Sequence, residues 1–393
     1  MTTFYPYQWD LNYGNCVVFN DMVGNMLSIA NRGIDVIRLD AVPYIWKELG
    51  TSCRNLPTVH LLVRMMRIIT EIVCPSVLLL GEVVMEPSKV VPYFGTVEKP
   101  ECHMLYNVTT MASTWHTVAT KDVRLLKRQM NQLSELPKDY IFLNYLRCHD
   151  DIGWGLDYDW LKKFGISEIP HKKFLNDYFT GKFPDSNARG ELYNNDPRLG
   201  DARLCGTTAS LCGIEAALED KDTDKLEKSI DCDIMLHAYM LTQSGIPVLY
   251  SGDEIGQLND YSYHDNPEKS VDSRYLHRGK FNWKLAENCD DSDTVQGRIF
   301  QSILKLEKCR AENEVFRAEA DFQTVDTGSD SVLGICREYE NKKLLAYFNF
   351  SDNPQSVFLD GVKSGRDLFT DDEVCSISIE LKPYGFSWLL LDE

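Results

Sequence analysis

The alternation of apolar runs with amphipathic stretches is the feature that most restricts the fold of this chain. Amphipathic stretches at helical spacing occupy residues 20–33 and 59–72. Short, continuously apolar runs flank them and indicate strands at 36–40, 77–82, 103–107, 140–150 and 246–254. A strand followed by a helix, repeated, predicts parallel βα units and an α/β fold whose sheet is buried on both faces.

Acidic residues close three of the predicted strands. They are Asp40, Glu82 and Asp150. In a parallel barrel the carboxyl ends of all strands open on one face, where the active sites of barrel enzymes lie. A single Asp at a strand end is most often a turn residue or a helix cap. Three carboxylates on three strand ends, taken together, instead favour a catalytic site.

These carboxylates suit glycosidic bond cleavage with retention of configuration. That reaction needs two carboxyl groups about 5–5.5 Å apart, one as nucleophile and one alternating as acid and base. A third carboxylate nearby stabilises the positive charge of the transition state. Arg38 lies two residues before Asp40 and therefore on the same strand face, where its charge would keep a nucleophile ionised, although alone it would read as a salt-bridge partner. His149, beside Asp150, is placed to donate a hydrogen bond to a sugar hydroxyl.

Composition excludes several other classes of protein. The net charge of -18 disfavours nucleic acid as a partner. The sequence contains no apolar run of about 18 residues and does not begin like a secretory signal, so neither a membrane span nor export is expected. The 12 cysteines are irregularly spaced, without a C-x-x-C pair, which predicts free thiols in the cytoplasm and no metal site. No cofactor is expected.

The pattern predicts two domains. Residues 1–315 are expected to form barrel structure, and residues 316–393, with short alternating runs between turn signals, an all-β sandwich. Residues 152–231 are polar and too long for a plain βα loop, which predicts a subdomain inserted into the barrel. A helix at 234–243 would follow it.

Several segments resemble the α-amylase superfamily, glycoside hydrolase family 13. GIDVIRLDAV (33–42), LLLGEVV (78–84) and FLNYLRCHDDIGW (142–154) resemble three of its conserved regions, and QWDLNY (8–13) resembles a further one. The resemblance extends between these motifs. WKELGTSCRNLPTVH and GDARLCGTTAS are similar to segments of the amylosucrase branch of that family.

The resemblance implies a mechanism and a substrate. Asp40 matches the nucleophile that forms a glucosyl–enzyme intermediate, Glu82 matches the general acid/base, and Asp150 matches the aspartate that stabilises the transition state. An enzyme of this branch transfers glucose from sucrose to an α-glucan and hydrolyses sucrose as a side reaction. Sucrose and α-glucan oligosaccharides are therefore the expected partners.

The resemblance also implies roles for five substrate-binding residues. Arg38 and His149 match residues that hold the glucosyl ring, and Asp151 matches one on the fructosyl or acceptor side. Arg203 matches an arginine of the acceptor channel. Arg274 matches an arginine that pairs with an aspartate from earlier in the chain. Lys172 departs from the pattern, because the branch carries arginine there and lysine lacks the bidentate fork.

The resemblance implies a partial (β/α)8 TIM barrel, about strands 4–8, because the matched segments begin after the first three strands. The other half of the barrel is expected in a longer protein, since five strands cannot close an eight-stranded barrel. Three alternatives stand beside an amylosucrase. The first is a sucrose or glucosylglycerate phosphorylase, which tends to carry glycine where Asp151 stands. The others are a plain α-glucosidase or amylase, and an inactive fragment or non-catalytic sugar-binding subunit.

Overall fold

The structure is a computed structural model that describes residues 1–85 and 87–392, apart from the side chains of residues 87 and 88. The chain divides into two compact units. Unit 1 comprises Met1–Thr109 and Pro137–Leu143, and unit 2 comprises Thr110–Leu136 and Asn144–Glu393.

Unit 1 is built of βα repeats, as the sequence pattern predicts. Its strands pair in parallel in the order β1-β2-β3-β4. Short 3-10 helices at Val42–Tyr44 and Val91–Phe94 follow β1 and β2. The helices and strands are α1 (Cys16–Ala30), β1 (Val36–Leu39), α2 (Pro57–Val73), β2 (Leu78–Gly81), α3 (Pro87–Val90), β3 (Met104–Tyr106) and β4 (Ile141–Asn144).

Local chemistry explains where the two long helices of unit 1 begin. The side chain of Asn15 accepts a hydrogen bond from the amide of Val17 and so caps α1. Pro57 occupies the first turn of α2, where no amide partner is needed. Phe19 of α1, Met66 of α2 and Leu79 of β2 are buried in one apolar cluster.

The first part of unit 2 is mostly helical, with a small antiparallel sheet of order β5-β7-β6. Its long helix begins at Thr223, so the predicted end of the inserted subdomain at residue 231 falls inside that helix. The elements are α4 (Val108–Thr120, which begins in unit 1), α5 (Arg124–Ser134), β5 (Ile152–Gly153), α6 (Tyr158–Leu161), α7 (Glu168–Phe179), β6 (Glu191–Asp196), β7 (Asp201–Cys205), α8 (Thr208–Leu211), α9 (Ile214–Asp220), α10 (Thr223–Thr242), β8 (Ile246–Pro247), α11 (Trp283–Ala286) and α12 (Val295–Glu312).

The C-terminal part of unit 2 consists of strands, as predicted. A six-stranded sheet has the order β14-β13-β16-β11-β10-β9, and β12 pairs with β15 in a two-stranded sheet. Side chains of both sheets share one apolar core. The strands are β9 (Asp321–Val325), β10 (Val332–Tyr339), β11 (Lys342–Asn349), β12 (Gln355–Phe358), β13 (Gly365–Asp367), β14 (Glu373–Val374), β15 (Ser378–Leu381) and β16 (Phe386–Leu391).

The burial of β11 differs from the predicted alternation. Residues 344–349 are all buried, because one face of the strand enters the shared core and the other lies under α10. The ring of Tyr239 in α10 lies 5.8 Å from that of Phe348 and 6.1 Å from that of Phe350. An antiparallel strand covered on both faces loses its polar side, which explains the missed pattern.

Two predicted strands are shorter than their apolar runs. The run 140–150 is a strand only to Asn144, and the run 246–254 only over Ile246–Pro247. Beyond Asn144 the chain leaves the ladder, since the indole of Trp115 donates to the carbonyl of Leu146 at 2.7 Å. The amide of Val248 donates to the carbonyl of Asn144 at 2.8 Å, next to β8. The parallel sheet of β1 to β4 does not close into a barrel within the described residues.

None of the helices in the described stretches combines the length and the apolar composition needed to cross a bilayer. The 12 cysteines are free thiols in the structure.

Candidate active site

In unit 1, two of the predicted carboxylates leave the sheet at the same edge. Asp40 follows the last residue of β1, and Glu82 follows the last residue of β2. The two strands are parallel, with Leu39 in register with Gly81. The carboxyl ends of neighbouring parallel strands therefore bring both acids together, as the sequence predicts.

The guanidinium of Arg38 joins these two acids. Its Nη1 lies 2.5 Å from Oδ1 of Asp40, and its Nη2 lies 2.7 Å from Oε1 of Glu82. Burial lowers the pKa of Arg38, but the charge of Glu82 and the hydrogen bond to Asp40 outweigh it, so the pKa lies above its ordinary value. Arg38 therefore stays charged and holds both carboxyl groups with adjacent nitrogens of one rigid plane.

The backbone after β1 fixes the orientation of Glu82. The amide of Ala41 donates to Oε2 of Glu82 at 2.9 Å, while the amide of Glu82 donates to the carbonyl of Leu39 at 3.0 Å. Ala41 has a φ of +46°, in the left-handed region, which costs a non-glycine residue about 1–3 kcal/mol. The side chain of Glu82 is 17% exposed and that of Asp40 is 74% exposed. One acid is thus open to a ligand and the other is enclosed.

In unit 2, Asp150 is surrounded by basic groups. Its Oδ1 lies 3.2 Å from Nη1 of Arg274 and 3.1 Å from Nη2 of Arg278, and its Oδ2 lies 3.2 Å from Nε2 of His149. Asp150 follows the buried segment beyond Asn144, so the prediction of a strand tip at this residue is wrong. The grouping of Asp150 with His149 and Arg274 is present nonetheless.

Arg278 is a member of this cluster that the sequence reasoning missed. Its Nε donates to the carbonyl of His149 at 2.5 Å, in addition to its contact with Asp150. Its spacing from Arg274 gave no signal, because the two arginines stand four positions apart across the 3-10 helix Ser273–His277. In a 3-10 helix the side chains three positions apart, not four, lie on one face.

Arg274 finds its second partner within its own turn. Its Nε and Nη2 donate to the two oxygens of Asp272 at 2.8 Å and 2.7 Å. The pairing that the resemblance implies, with an aspartate from earlier in the family's chain, stays a prediction. Burial raises the pKa of Asp272, but the bonds to Arg274 outweigh it and lower the pKa below its ordinary value. This fork holds the guanidinium of Arg274 against Asp150.

A buried layer supports the backbone of His149. The Nδ1 of His277 accepts from the amide of Gly206 at 3.1 Å, so its Nε2 carries the hydrogen and donates to the carbonyl of His149 at 3.3 Å. Burial lowers the pKa of His277 to about 3, which keeps the ring neutral. Arg147 donates to the carbonyl of His277 and pairs with Asp253 at 2.7 Å, with both side chains almost fully buried.

Asp151 and Arg203 form a second pair, across strands β5 and β7. The Nη1 of Arg203 lies 3.5 Å from Oδ2 of Asp151. Burial raises the pKa of Asp151, and the charge of Arg203 offsets only part of that effect. Gly153 is in register with Arg203, and a Cβ at residue 153 would lie 2.4 Å from Nη1 of Arg203. Glycine at this position therefore leaves room for the arginine to reach Asp151.

Lys172 is held by ion pairs on the surface of α7. Its Nζ lies 2.9 Å from Oε1 of Glu168 and 3.7 Å from Oδ1 of Asp201. The ammonium also lies 5.6 Å from the ring centroid of Tyr158. These local ion pairs account for a lysine at position 172.

The two carboxyl groups on the guanidinium of Arg38, one exposed and one enclosed, are those that the sequence predicts as the nucleophile and the acid/base of glycosidic bond cleavage. These roles stay predictions. Within the described parts of the chain, no three His, Cys, Asp or Glu side chains are grouped to hold a metal ion.

Comparison with known proteins agrees with this chemistry. Residues 1–152 match the family of the alpha amylase catalytic domain. This stretch contains β1 to β4 and the carboxylates Asp40, Glu82, Asp150 and Asp151, whereas Arg203, Arg274 and Arg278 lie beyond it.

Curated relatives cover much of the chain. The glucosylglycerate phosphorylase of Escherichia coli (strain K12) is 28% identical over 392 residues, which is 99% of this chain and 66% of that protein. The trehalose synthase of Pimelobacter sp. (strain R48) is 30% identical over 260 residues, which is 64% of this chain and 39% of that protein. The chain thus spans about two thirds or less of these relatives. They are phosphorylases and trehalose synthases, and so do not support the expected amylosucrase.

Solved structures share the fold. The sucrose 6F-phosphate phosphorylase of Thermoanaerobacter thermosaccharolyticum has a TM-score of 0.66 at 19% identity, covering 93% of this chain and 64% of that one. The α-amylase of H. orenii has a TM-score of 0.60 at 16% identity, covering 99% of this chain and 67% of that one. The open sheet of the described residues is therefore of the α-amylase TIM-barrel type.

Proposed function

We propose that this chain, an enzyme of the α-amylase superfamily with the catalytic-domain match at residues 1–152, transfers an α-glucosyl unit with retention and acts as an α-glucoside phosphorylase. The observation that carries the proposal is the bridge that Arg38 forms between Asp40 and Glu82. Similarity to glucosylglycerate phosphorylases supports phosphate as the acceptor and an α-glucoside such as glucosylglycerate or sucrose as the donor.

The first step forms a covalent intermediate. An oxygen of Asp40 attacks the anomeric carbon, and the bond from that carbon to the aglycone oxygen breaks. Glu82, protonated at this stage, gives its proton to the departing oxygen. The exposure of Asp40 suits the nucleophile, and the guanidinium of Arg38 positions the attacking carboxyl group.

The second step releases the product. An oxygen of hydrogen phosphate attacks the anomeric carbon, and the ester bond to Asp40 breaks. Glu82, now ionised, accepts the proton of the phosphate, so the acid is restored. Two inversions give net retention, and the product is α-glucose 1-phosphate.

The residues of unit 2 take supporting roles in this proposal. Asp150 stabilises the positive charge that develops on the sugar ring. His149 and Arg274 orient Asp150 and bind sugar hydroxyls, while Asp151 and Arg203 contact the acceptor. Each of these roles follows from the match of the residue to the family motif and stays a prediction.

Transfer to a glucan hydroxyl, the amylosucrase reaction, is the second candidate, and Asp151 favours it. A carboxylate on the acceptor side repels phosphate, whereas it accepts a hydrogen bond from a hydroxyl. In this structure Arg203 pairs with Asp151, which reduces the negative charge that a phosphate would meet. The ion pair between Arg203 and Asp151 is therefore compatible with phosphate as the acceptor.

One assay distinguishes phosphorolysis from transfer to a glucan. The purified chain is incubated with glucosylglycerate or with sucrose, with and without inorganic phosphate, and glucose 1-phosphate, free glucose and glucan are measured. Phosphate-dependent formation of α-glucose 1-phosphate, lost in Asp40→Asn, is the expected result. Release of fructose with growth of glucan, unchanged by phosphate, would contradict phosphorolysis and support the second candidate.

A further inference from the structure

A groove in unit 2 lies between the helices α10 and α12 and the loops of the C-terminal sheets. It encloses about 490 Å³, within the usual range of small-molecule sites. Gln301, Ser302 and Lys305 of α12 line one wall. The loop after β13, with Phe369, and the start of β16, with Phe386, line the other. None of its lining residues belongs to the clusters around Asp40 or Asp150.

Two aromatic rings form an apolar surface in this groove. The rings of Phe369 and Phe386 are tilted by 54° with centroids 4.9 Å apart, and both side chains are half-buried. The C–H face of a pyranose ring is apolar and packs on such aromatic faces, while its hydroxyls reach polar groups at the rim. Gln301 and Ser302 supply such groups along α12.

The cations of the groove are not equivalent. Arg298 is held by both oxygens of Glu227, at 2.5 Å and 2.8 Å. Lys382 is held by Asp231 at 2.8 Å. Lys305 differs from both, because its ammonium forms no ion pair with a carboxylate of the described residues. The ammonium lies 5.1 Å from the ring centroid of Phe369. An anion in the groove would therefore bind at Lys305.

The charge of the groove differs from that of the whole chain. Arg298, Lys305 and Lys382 are offset by Asp231 and Glu380 of the lining and by Glu227 at Arg298, in a chain of net charge -18. Charges are thus balanced in the groove, and Lys305 is the cation of its lining that no ion pair of the described residues neutralises, so it can attract a small anion. The groove does not suit a nucleic acid, whose backbone the rest of the surface repels.

One wall of the groove is fixed before any ligand binds. The amide of Tyr384 donates to the carbonyl of Ser351 at 3.1 Å, and the side chain of Asn349 donates to the carbonyl of Lys382 at 2.9 Å. The turn from β15 to β16 is therefore held by hydrogen bonds to Asn349 of β11 and to Ser351, which follows β11. Preorganised walls reduce the ordering that binding requires.

We infer that this groove binds a phosphorylated hexose, with the sugar ring on Phe369 and Phe386 and the phosphate on the ammonium of Lys305. The inference is independent of the reaction at Asp40. An aromatic surface alone would select a neutral sugar, and a lysine alone would select inorganic phosphate. Because the ring of Phe369 and the ammonium of Lys305 lie together, the groove selects a ligand that has both a sugar ring and a phosphate.

The test measures binding of glucose 6-phosphate to the whole chain by titration calorimetry, beside glucose and inorganic phosphate alone. Glucose 6-phosphate has a free anomeric hydroxyl, so it cannot donate a glucosyl unit to Asp40. Lys305→Met keeps the aliphatic stem and removes the charge. Lys308→Met is the matched control, because Lys308 lies on the same helix, is 71% exposed and pairs with Glu312 rather than lining the groove.

We expect Lys305→Met to weaken binding of glucose 6-phosphate by at least about tenfold, since a charge-assisted contact is lost, and Lys308→Met to leave it unchanged. Phe369→Leu should weaken glucose 6-phosphate but not inorganic phosphate. Equal affinity of the wild type, Lys305→Met and Lys308→Met would overturn the inference, as would no binding by the wild type. Inorganic phosphate that binds as tightly as glucose 6-phosphate, and is weakened equally by Lys305→Met, would overturn the role of the rings. Phosphate bound at the proposed acceptor site would be unaffected by Lys305→Met, so the assay of Asp40 does not decide these outcomes.

Discussion

At the scale of single residues, Arg38 determines the geometry of the acidic pair. It reaches Asp40 and Glu82 through two different nitrogens, and its charge is maintained by both acids against the effect of burial. A lysine has one nitrogen and no plane, so it cannot hold two carboxyl groups in a defined relation. The bridge can therefore be tested without removing a positive charge.

Arg38→Lys should lower kcat by about a hundredfold, since a small displacement of a reacting group has an effect of that size. The measurement is steady-state phosphorolysis, with thermal unfolding as a check on folding. Arg366→Lys is the control, because Arg366 forms an exposed pair with Asp371 in the C-terminal sheet. Equal kcat values for Arg38→Lys and the wild type would show that the bridge is not needed.

Asp151 gives a prediction about pH and stability. Its pKa is raised by burial, so the folded state favours the protonated form, and ionisation at neutral pH costs stability. Well below the ordinary pKa of 3.8, both folded and unfolded states are protonated and the cost disappears.

Asp151→Asn should therefore raise the free energy of unfolding at pH 7, and the gain should shrink as the pH falls towards 4. Urea unfolding at several pH values measures it, with Asp360→Asn, at an exposed turn, as the control. A gain that grew as the pH fell would contradict the sign of the effect.

At the scale of elements, the pairing of β5 with β7 sets the position of Arg203. Gly153 faces Arg203 in register, and the space of its missing Cβ is occupied by the guanidinium. Because the clashing atom is the far end of a flexible side chain, a methyl group at residue 153 would move the arginine rather than the strand.

Gly153→Ala should leave the unfolding free energy within about 1 kcal/mol of the wild type and raise KM for the acceptor, because Arg203 is displaced from Asp151. Acceptor titration at saturating donor separates KM from kcat. Gly155→Ala is matched, since a Cβ at residue 155 meets no atom within 4 Å. The prediction fails if both variants show the same KM as the wild type.

The elements also show how far sequence patterns reach. The positions of β1 and β2, and hence of Asp40 and Glu82, could be predicted because buried parallel strands read as apolar runs that end in the acids. The end of β4 could not, since it depends on Trp115 capturing a carbonyl far along the chain. The contact of Arg278 with Asp150 is likewise tertiary, and the spacing of Arg278 from Arg274 did not predict it.

At the scale of the whole molecule, two surface properties oppose each other. The net charge of -18 keeps molecules apart at low salt. Large apolar side chains are exposed in unit 1, among them Tyr7, Trp9 and Ile72 at 76%, 84% and 76%. Exposed apolar groups in such numbers promote association once charge is screened.

The chain should therefore self-associate as the salt concentration rises from about 0.05 to 0.5 M, where the screening length falls below about 5 Å. Sedimentation velocity at fixed protein concentration detects the change. Trp9→Ser should shift the transition to higher salt, and Trp283→Ser, exposed by 77% in unit 2, serves as the control. A sedimentation coefficient independent of salt would contradict the expectation.

The sequence leads to the proposed reaction class but not to the proposed acceptor. The strand positions of Asp40, Glu82 and Arg38 are the basis for proposing α-glucosyl transfer, whereas the acceptor depends on the charge around Asp151. The sequence pattern there favours a glucan, and the glucosylglycerate phosphorylase relatives favour phosphate. The ion pair between Asp151 and Arg203, which only the structure shows, is compatible with the phosphate acceptor that we propose.

The most direct test of the account is to trap the covalent intermediate. Glu82→Gln is mixed with α-glucosyl fluoride, whose leaving group needs no proton from Glu82 and whose intermediate then lacks a base for its release. Peptide mass mapping should find one added glucosyl residue on Asp40, and Asp40→Asn in the same background should show none. A glucosyl group on another carboxylate, or none on Asp40 while fluoride is released, would contradict the assignment of Asp40 as the nucleophile.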